Sequence, residues 1–326
     1  MSAIANVAVH SSQFPEQIRR DLLESLRSRK IAHKFHYDSV KQTQKWLALH
    51  QQYSASRTDQ NCRDVYERSF ELAAKSIKSE KLHLIGLGCG GGQKDSRLLT
   101  VLKRRTRSLF YTPADVASAM VLTARRTALA VLPEKRIFPF VCDLQTATDL
   151  PSTLDLPHFR RPRRIITFFG MIPNFEPNDI LPKLASLLHL KDILLFSANL
   201  APGNDYGAGL KRILPQYDNA LTRDWLLTFL LDLGISTADG VLLFKIEDAP
   251  GNLKRIVASF RFKRPRRIKL EDEPFAFKAG DSVRLFFSYR YTPDRIRASL
   301  SAHNLDIQEE WITESGEEGV FLCAAA

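Results

Sequence analysis

Apolar residues in the middle third of the chain form short, nearly unbroken runs that are separated by longer segments with helical spacing. The runs, between Leu82 and Leu200, are LHLIGLG, SLFYTPAD, FPFVCDL, RIITFFG and DILLFSANL. Segments such as ADVASAMVLTARRTALAVL and PNDILPKLASLLHL follow individual runs and are compatible with helices. Because strands buried on both faces of a parallel sheet are apolar throughout, this alternation predicts an α/β fold with an open, doubly wound sheet. Ligands of such sheets bind at the carboxyl ends of the strands.

The regions on either side have different patterns. From Pro15 to Lys78 the apolar residues recur at helical spacing, for example in IRRDLLESLRS and VYERSFELAAKSI. From Gly240 to Tyr291 the segments GVLLFKIED, LKRIVASFRF and SVRLFFSYRY alternate as antiparallel strands do, after the apolar helix RDWLLTFLLDLG. The C-terminal region predicts a helix, TPDRIRASLSAHN, followed by a hairpin of LDIQEEWIT and GVFLCAA.

These changes of pattern predict two domains. We expect an α/β domain from residues 64–200 with 291–326, and an additional α+β domain from residues 1–63 with 201–290. A chain of 326 residues, of which 44% are hydrophobic, is long enough to bury a sizeable core and to form two ordinary domains.

Several classes of protein are disfavoured by what the sequence lacks. It has no stretch of roughly 18 uninterrupted apolar residues, which a membrane span requires, and its N-terminus lacks the basic and apolar regions of a signal peptide. The cysteines Cys62, Cys89, Cys142 and Cys323 are widely spaced, with no clustered histidine to complete a metal site. We therefore expect a cytoplasmic monomer with reduced cysteines, no metal and no membrane partner.

The net charge of +11 raises the question of a nucleic-acid partner. Part of this charge lies in two similar segments, RRPRR at Arg160–Arg164 and KRPRR at Lys263–Arg267. Each contains a proline and leads into an apolar run, so we expect both to be exposed turns. No aromatic residues alternate with the arginines, as a base-stacking surface would need, so binding to nucleic acid is not favoured.

The segment LHLIGLGCGGGQKDSRLL has glycines after a predicted strand and before a predicted helix. Such a bend lets the backbone approach a ligand, and the N-terminus of the following helix attracts negative charge. Gly88, Gly90, Gly91 and Gly92 form G-x-G-G-G, which is closer to the short loop of S-adenosylmethionine (SAM) methyltransferases than to the G-x-G-x-x-G of dinucleotide-binding proteins. The loop alone is also compatible with a purely structural role.

Acidic residues at the ends of the next two strands favour a nucleoside-containing cofactor. Asp115 ends the second strand, where a carboxylate can accept hydrogen bonds from ribose hydroxyls. Asp143 ends the third strand and could bind the adenine amino group while Leu144 packs on the ring. Either aspartate by itself could be a helix cap or a loop residue, but their positions on successive strands favour cofactor binding.

Further motifs carry a resemblance to a known family. They are KFHYD from Lys34, YSASR from Tyr53, GLGCGGGQKDSRLL, YTPADVA, FFGMIPNFEP, QYDNA and AGDSVRLFFSYRY, in that order. In combination and order these segments resemble the histidine-specific methyltransferases, which trimethylate the α-amino group of histidine in ergothioneine biosynthesis. The resemblance extends from about Lys34 to the C-terminus. It implies a class I, Rossmann-like SAM methyltransferase with an additional α+β substrate-binding domain.

The resemblance also implies roles for individual residues. It implies that the cofactor SAM is bound by Gly88, Gly90, Lys94, Asp115, Asp143 and Leu144. A free amino acid would be bound by Tyr53, Asn174, Tyr217, Phe286 and Ser288. Tyr37 and Tyr53 would be the catalytic residues that hold the reacting amino group.

The sequence departs from the family where the substrate side chain would bind. Phe286, Phe287 and Ser288 stand where the family has Glu-Ile-Ser, so the carboxylate that would bind an imidazole is missing. Ala258 lies near a position that is usually methionine, and the smaller residue would enlarge the pocket. We therefore predict an N-methyltransferase for an aromatic, tryptophan- or tyrosine-like amino acid. The alternatives are a histidine methyltransferase with another imidazole-binding residue, a nucleic-acid methyltransferase, and a SAM-binding protein without activity.

Overall fold

The computed structural model describes residues 4–77, 79–155 and 162–325. Within these residues the strands are β1 (Ala8–Val9), β2 (Lys81–Leu87), β3 (Ser108–Asp115), β4 (Phe140–Val141), β5 (Arg163–Phe168), β6 (Ile193–Asn199), β7 (Gly240–Ala249), β8 (Leu253–Phe262), β9 (Arg266–Leu270), β10 (Glu273–Phe277), β11 (Ser282–Arg290), β12 (Leu305–Ile312) and β13 (Glu318–Ala325). The α-helices are α1 (Pro15–Ser28), α2 (Val40–Tyr53), α3 (Ala55–Thr58), α4 (Gln60–Ser76), α5 (Gln93–Lys103), α6 (Ser118–Ala128), α7 (Leu150–Thr153), α8 (Pro177–Leu187), α9 (Tyr206–Tyr217), α10 (Ala220–Asp232) and α11 (Pro293–Ser301).

The chain divides into two compact units. The described parts of Met1–Gln13, Ala55–Leu200 and Tyr291–Ala326 form the first unit, and Phe14–Ser54 with Ala201–Arg290 form the second.

This division differs from the predicted domain boundaries at residues 1–13 and 55–63, both of which belong to the first unit. Residues 1–13 contain β1, which extends the sheet of the first unit by pairing with β4. Residues 55–63 include the start of α4, where Cys62 is buried in the core of the first unit. The helical spacing of the N-terminal region did not reveal either connection.

The first unit is built on one eight-stranded sheet with the order β1-β4-β3-β2-β5-β6-β13-β12. The first six strands in this order are parallel, and β13 and β12 form an antiparallel hairpin at one edge. This arrangement confirms the predicted open, doubly wound sheet and its closing hairpin. The strand order reverses at β2, which has β3 on one side and β5 on the other. Ligands of α/β sheets bind at such a reversal point.

The third predicted strand, FPFVCDL, is shorter than expected. Only Phe140 and Val141 form β4. The Phe138 N–H still donates to the Tyr111 carbonyl at 2.8 Å, but the next residue, Pro139, has no N–H to continue the ladder. Pro139 therefore shortens this strand, although the run is otherwise apolar.

The second unit contains a three-stranded antiparallel sheet, β11-β8-β7, which confirms the predicted strands between Gly240 and Tyr291. Its core joins one face of this sheet to α1 and α10 through Leu26, Trp225 and Phe260. The pairing of β9 with β10 is a hairpin that the sequence pattern did not reveal. Its residue Phe277 stacks on Phe262 of β8, with ring centroids 4.6 Å apart.

The expectation of an exposed basic turn is confirmed for KRPRR, where Lys263, Arg264 and Arg267 are exposed, and is wrong for Arg164 of RRPRR, which is buried. In KRPRR, Arg264 and Arg266 both pair with the buried carboxylate of Asp239, at 2.6 and 3.0 Å. In RRPRR, Arg160 and Arg161 lie outside the described residues, while Arg164 is buried and pairs with Asp155. Charge density in sequence did not reveal these ion pairs, because the acidic partners Asp155 and Asp239 lie outside the two basic segments.

The carboxylate of Asp239 fixes the turn that precedes β9. Burial opposes its ionisation, but the Ser236 N–H and the Arg264 guanidinium together hold the pKa of the Asp239 carboxyl below its usual value. A carboxylate with a lowered pKa stabilises the folded state above its unfolded pKa of about 3.9, and this contribution is lost as the pH falls through the folded value.

We therefore expect Asp239→Asn to lower the melting temperature by a few degrees at pH 7, with a difference from wild type that shrinks as the pH falls below about 4. Thermal unfolding followed by circular dichroism across this pH range measures the effect. Asp272→Asn is the matched control, since Asp272 is fully exposed and lies 3.3 Å from Lys269. Equal melting temperatures for wild type and Asp239→Asn at pH 7 would contradict this account.

Candidate active site

The glycine loop lies between the end of β2 and the start of α5, at the reversal point of the sheet. The Cys89 N–H donates to the Ala114 carbonyl at 3.0 Å, which joins the loop to the end of β3. Gly92 caps α5 with a φ of 73°, a left-handed conformation that favours glycine. A Cβ atom on Gly92 would lie 2.7 Å from the Cα atom of Ala124 in α6. The bend therefore depends on a close backbone approach that other residues would obstruct.

Asp95 fastens the first turn of α5 to two strands. Its carboxylate accepts hydrogen bonds from the hydroxyls of Tyr111 in β3 and Thr167 in β5, at 2.7 and 2.8 Å. Burial raises the pKa of this carboxyl above its ordinary value, and the two hydroxyls oppose the shift. A Cβ on Gly86 would lie 2.0 Å from the Asp95 carboxylate, so glycine is required there as well. Asp95 was not predicted from the sequence, although it shares the KDSR segment with Lys94.

Asp115 connects the loops that follow β2 and β3. One carboxylate oxygen accepts the Gly90 N–H at 3.0 Å and the other accepts the Ala117 N–H at 3.1 Å. Burial raises the pKa of the Asp115 carboxyl, opposed by these backbone donors. Since each carboxylate oxygen has two acceptor sites, Asp115 can accept further hydrogen bonds from a ligand.

Asp143 and Leu144 follow β4 and are both buried. The Asp143 carboxylate accepts the Gln145 N–H at 2.9 Å, and its own N–H donates to the Ser12 hydroxyl at 2.9 Å. Ser12 comes from the N-terminal segment that begins with β1. This segment therefore holds the backbone of a predicted cofactor residue, although the sequence analysis assigned it to the other domain.

Lys94 lies in a polar cluster with Tyr66, Ser197 and Glu318. Its ammonium donates to the Tyr66 hydroxyl at 2.7 Å and lies 3.8 Å from the Glu318 carboxylate. The Tyr66 hydroxyl donates in turn to Glu318 and lies 3.0 Å from the Ser197 hydroxyl. Burial lowers the pKa of Lys94, opposed by Glu318, and burial raises the pKa of Tyr66. Lys94 was predicted from the sequence, but its partners were not, because Tyr66 of α4 and Glu318 of β13 come from separate elements of the chain.

A second cluster lies on β11 in the second unit. The Tyr217 hydroxyl is 2.8 Å from the Ser288 hydroxyl and accepts a hydrogen bond from Arg290 Nε at 3.1 Å. The Tyr217 and Phe286 rings are 6.2 Å apart. Arg290 was not among the residues predicted from the sequence. It follows Phe286 and Ser288 at the two-residue spacing of one strand face, and this spacing could have identified it.

The surroundings of Phe286 are aromatic. It pairs in register with Ala258 of β8, and its ring packs edge-on against Trp225, with centroids 5.8 Å apart. Trp225 also contacts Tyr37, with ring centroids 5.5 Å apart. The structure thus brings Tyr37, Tyr217, Phe286 and Ser288 into one cluster within the second unit.

The other two predicted substrate residues lie outside this cluster. Tyr53 is the last residue of α2 and is 49% exposed, whereas Tyr37 precedes the start of that helix. Asn174 belongs to the first unit, in a short turn after β5 where its N–H donates to the Met171 carbonyl at 3.0 Å. The position of neither Tyr53 nor Asn174 shows a role in substrate binding.

Residues 4–77, 79–155 and 162–325 contain no group of three histidine, cysteine, aspartate or glutamate side chains that could hold a metal ion. None of the helices assigned there has both the length and the apolar composition needed to cross a bilayer.

The reversal point with its glycine loop, the acid after β3 and the antiparallel edge hairpin define a class I SAM-dependent methyltransferase fold. The chain belongs to the family of histidine-specific, SAM-dependent methyltransferases, whose pattern it matches over residues 18–206 and 250–325. SAM is therefore its cofactor, and the protein is a SAM-dependent N-methyltransferase.

The sequence identity to individual known proteins is low. The chain is 25% identical over 256 residues to the N-methyltransferase imqF of Aspergillus flavus, which covers 75% of this chain and 68% of the relative. A SAM-dependent methyltransferase from Clostridium acetobutylicum aligns over 87% of this chain and 98% of its own, with 12% identity and a TM-score of 0.47. Magnesium protoporphyrin IX methyltransferase from Synechocystis aligns over 88% and 95%, with 12% identity and a TM-score of 0.45.

The packing of the glycine loop predicts the effect of two alanine substitutions. Gly203→Ala adds a side chain at a φ of 84° with no atom within 4 Å, so it should cost only the left-handed strain of about 1–2 kcal/mol. Gly92→Ala adds the overlap with Ala124 to the same strain and should cost about 2–5 kcal/mol. Chemical denaturation of both variants measures the difference. Equal losses of stability would show that the approach to α6 is not a constraint.

Proposed function

We propose that the protein transfers a methyl group from SAM to the α-amino nitrogen of a free aromatic amino acid with a tryptophan- or tyrosine-like side chain. The observation that carries this proposal is the set of side chains around Phe286. In the resemblance to the family, Phe286 occupies the position of a carboxylate that binds an imidazole. Phe286 packs against Trp225 and Tyr217 and lies opposite the small Ala258. An apolar ring gains from this lining, whereas an imidazole would lose a buried hydrogen-bonding partner.

In this proposal the first unit binds the cofactor, and its donor set suits SAM. Asp115 would accept hydrogen bonds from the ribose hydroxyls at the acceptor sites not used by Gly90 and Ala117. Asp143 would accept a hydrogen bond from the adenine amino group, with Leu144 packed on the ring. When bound, SAM supplies an electrophilic methyl group on a sulfonium.

Lys94 and the loop glycines would complete the cofactor site. The Lys94 ammonium is oriented by Tyr66 and Glu318 and would pair with the carboxylate of the methionyl part. Gly88 and Gly90 would allow the cofactor to approach the backbone. At Gly88, with a φ of 67°, a Cβ atom would also lie 2.4 Å from the sulfur of Met171.

The amino acid would be held mainly through its polar ends. The hydroxyls of Tyr217 and Ser288 and the amide of Asn174 can each bond to a carboxylate or an amine. Tyr37 and Tyr53 would orient the reacting amino group, so they are the proposed catalytic residues. The Arg290 guanidinium fixes the orientation of the Tyr217 hydroxyl.

Positioning would supply most of the catalysis. An in-line methyl transfer needs a neutral amine about 3–3.5 Å from the methyl carbon, with its lone pair aligned. Burial and nearby positive charge both lower the pKa of an amine, so the enzyme needs no strong base. The buried guanidinium of Arg290 contributes such a charge to the cluster around Tyr217.

A nucleic acid is a less well supported substrate. Several of the arginines in the basic segments are paired with carboxylates, Arg264 and Arg266 with Asp239 and Arg164 with Asp155. Binding to RNA or DNA that weakens steeply with salt would favour this alternative instead.

The proposed function predicts the outcome of one assay. Purified protein incubated with SAM and a panel of free amino acids should add methyl groups to an aromatic amino acid, seen by mass as increments of one to three methyls on its α-nitrogen. The N-acetylated version of the same amino acid, whose amide nitrogen is not nucleophilic, is the control for the acceptor atom and should be inert. Methylation of nucleic acid alone, or of no amino acid, would overturn the proposal.

The lining around Phe286 predicts a change of specificity in one variant. Phe286→Glu restores a carboxylate that can accept an imidazole N–H, and a hydrogen bond to a charged group contributes about 1.5–3 kcal/mol. We expect the ratio of kcat/KM for histidine to that for tryptophan to rise by about 10-fold or more. Phe286→Gln, which has the same length without the charge, is the matched control. An unchanged ratio in Phe286→Glu would contradict a role for this position in recognition.

A further inference from the structure

His33 lies beside Phe286 on a segment fastened to the edge of β11. The Ile31 N–H donates to the Arg284 carbonyl at 2.9 Å, and the Arg284 N–H donates to the Arg29 carbonyl at 2.9 Å. The short turn that follows starts at His33. Its imidazole packs edge-on against the rings of Phe286 and Phe287, with centroid distances of 5.2 and 4.7 Å.

Both ring nitrogens of His33 are inaccessible to solvent and have no hydrogen-bonding partner within the described part of the chain. Burial keeps the pKa of this imidazole well below its ordinary value, and the positive charge of Arg284 acts in the same direction, so the ring is neutral. A neutral imidazole has one N–H donor and one acceptor nitrogen. Leaving both without a partner costs stability, and such groups call for an explanation.

Two other buried histidines show the usual arrangement. Nε2 of His36 lies 2.6 Å from the Leu285 carbonyl, and Nε2 of His83 lies 2.8 Å from the Thr112 hydroxyl. Each therefore bonds through at least one nitrogen. His33 has neither nitrogen paired, at the residue that contacts Phe286.

One change from the family pattern and one unpaired polar side chain thus meet at this place in the second unit. The carboxylate that would bind the substrate ring is replaced by Phe286, and an unpaired donor and acceptor are present on the neighbouring imidazole. An indole N–H or a phenol O–H can donate to the acceptor nitrogen of a neutral imidazole, and a phenol oxygen can also accept from its N–H. A benzyl side chain can do neither.

We propose that His33 is a specificity-determining residue that hydrogen-bonds the polar atom of the substrate's aromatic side chain. The inference rests on the proposed function and narrows it, since the substrate is then an aromatic amino acid that carries an N–H or O–H on its ring. Phenylalanine-like rings would leave both nitrogens of His33 unpaired in the complex and would be rejected.

Matched substrate pairs test this assignment. For tyrosine against phenylalanine, and for tryptophan against its indole N-methylated analogue, we expect the wild-type enzyme to favour the ring with the donor in at least one pair, by about tenfold or more in kcat/KM. In His33→Phe, which keeps a ring but has no nitrogens, this ratio should fall to about one. His33→Gln keeps a donor and an acceptor and should retain part of the preference.

Controls separate recognition from packing. Phe287→Leu alters the surface on which His33 rests but leaves its nitrogens in place, so it should keep the wild-type ratio. His33→Phe should melt at or above the wild-type temperature without substrate, because it removes two unpaired polar atoms from a buried place. If His33 served only to stabilise the fold, the melting temperature of the protein would instead fall in both His33 variants. The ratio of kcat/KM within each substrate pair would not change.

The outcomes distinguish the two proposals. If the wild-type enzyme methylates amino acids but shows no preference within either pair, or if His33→Phe keeps the wild-type preference, the role of His33 is overturned while the proposed function stands. If no amino acid is methylated, the proposed function fails and the role of His33 fails with it.

Discussion

The close approach of the glycine loop to α6 is the constraint on which the first unit depends. Gly92 can lie against Ala124 only without a side chain, and this contact lets α5 begin directly above the end of β2. Asp95 then fastens the first turn of the helix to β3 and β5 through two hydroxyls. The backbone groups of the loop are thereby fixed at the strand reversal, where Asp115 also binds them.

The main feature of the second unit is the chemical character of one face of β11. An aromatic residue at position 286, with alanine opposite it, leaves a lining of rings next to hydroxyls and a buried guanidinium. Under the proposed function, such a lining would separate two tasks, because the hydroxyls suit the polar ends of an amino acid and the rings suit its side chain. The unpaired imidazole of His33 adds a polar group to the apolar part, and a purely apolar lining would not require one.

Predictions from the sequence were accurate where a single local rule applied. Continuous apolar runs gave the parallel strands, alternation gave β7, β8 and β11, and glycine at the end of β2 gave the loop. They failed where a distant partner decided the result. The pairing of β1 with β4 joins residues more than a hundred positions apart. The ion pairs of Arg164 with Asp155 and of Arg264 with Asp239 join residues 9 and 25 positions apart. The sequence pattern did not predict the hairpin of β9 and β10, because the charged residues in these strands obscure the apolar pattern to which Phe277 belongs.

The sequence by itself determined the class of fold and the positions of the ligand-facing loops, because periodicity and glycine conformation are local properties of a chain. It also determined that position 286 has a phenyl ring in place of a carboxylate. Only the tertiary structure decided which groups surround those positions. The partners of Lys94, the face shared by Phe286, Ser288 and Arg290, and the unpaired nitrogens of His33 arise when separate segments pack together. Burial and the pairing of polar atoms depend on such packing. They therefore cannot be predicted from the residues that are adjacent in sequence.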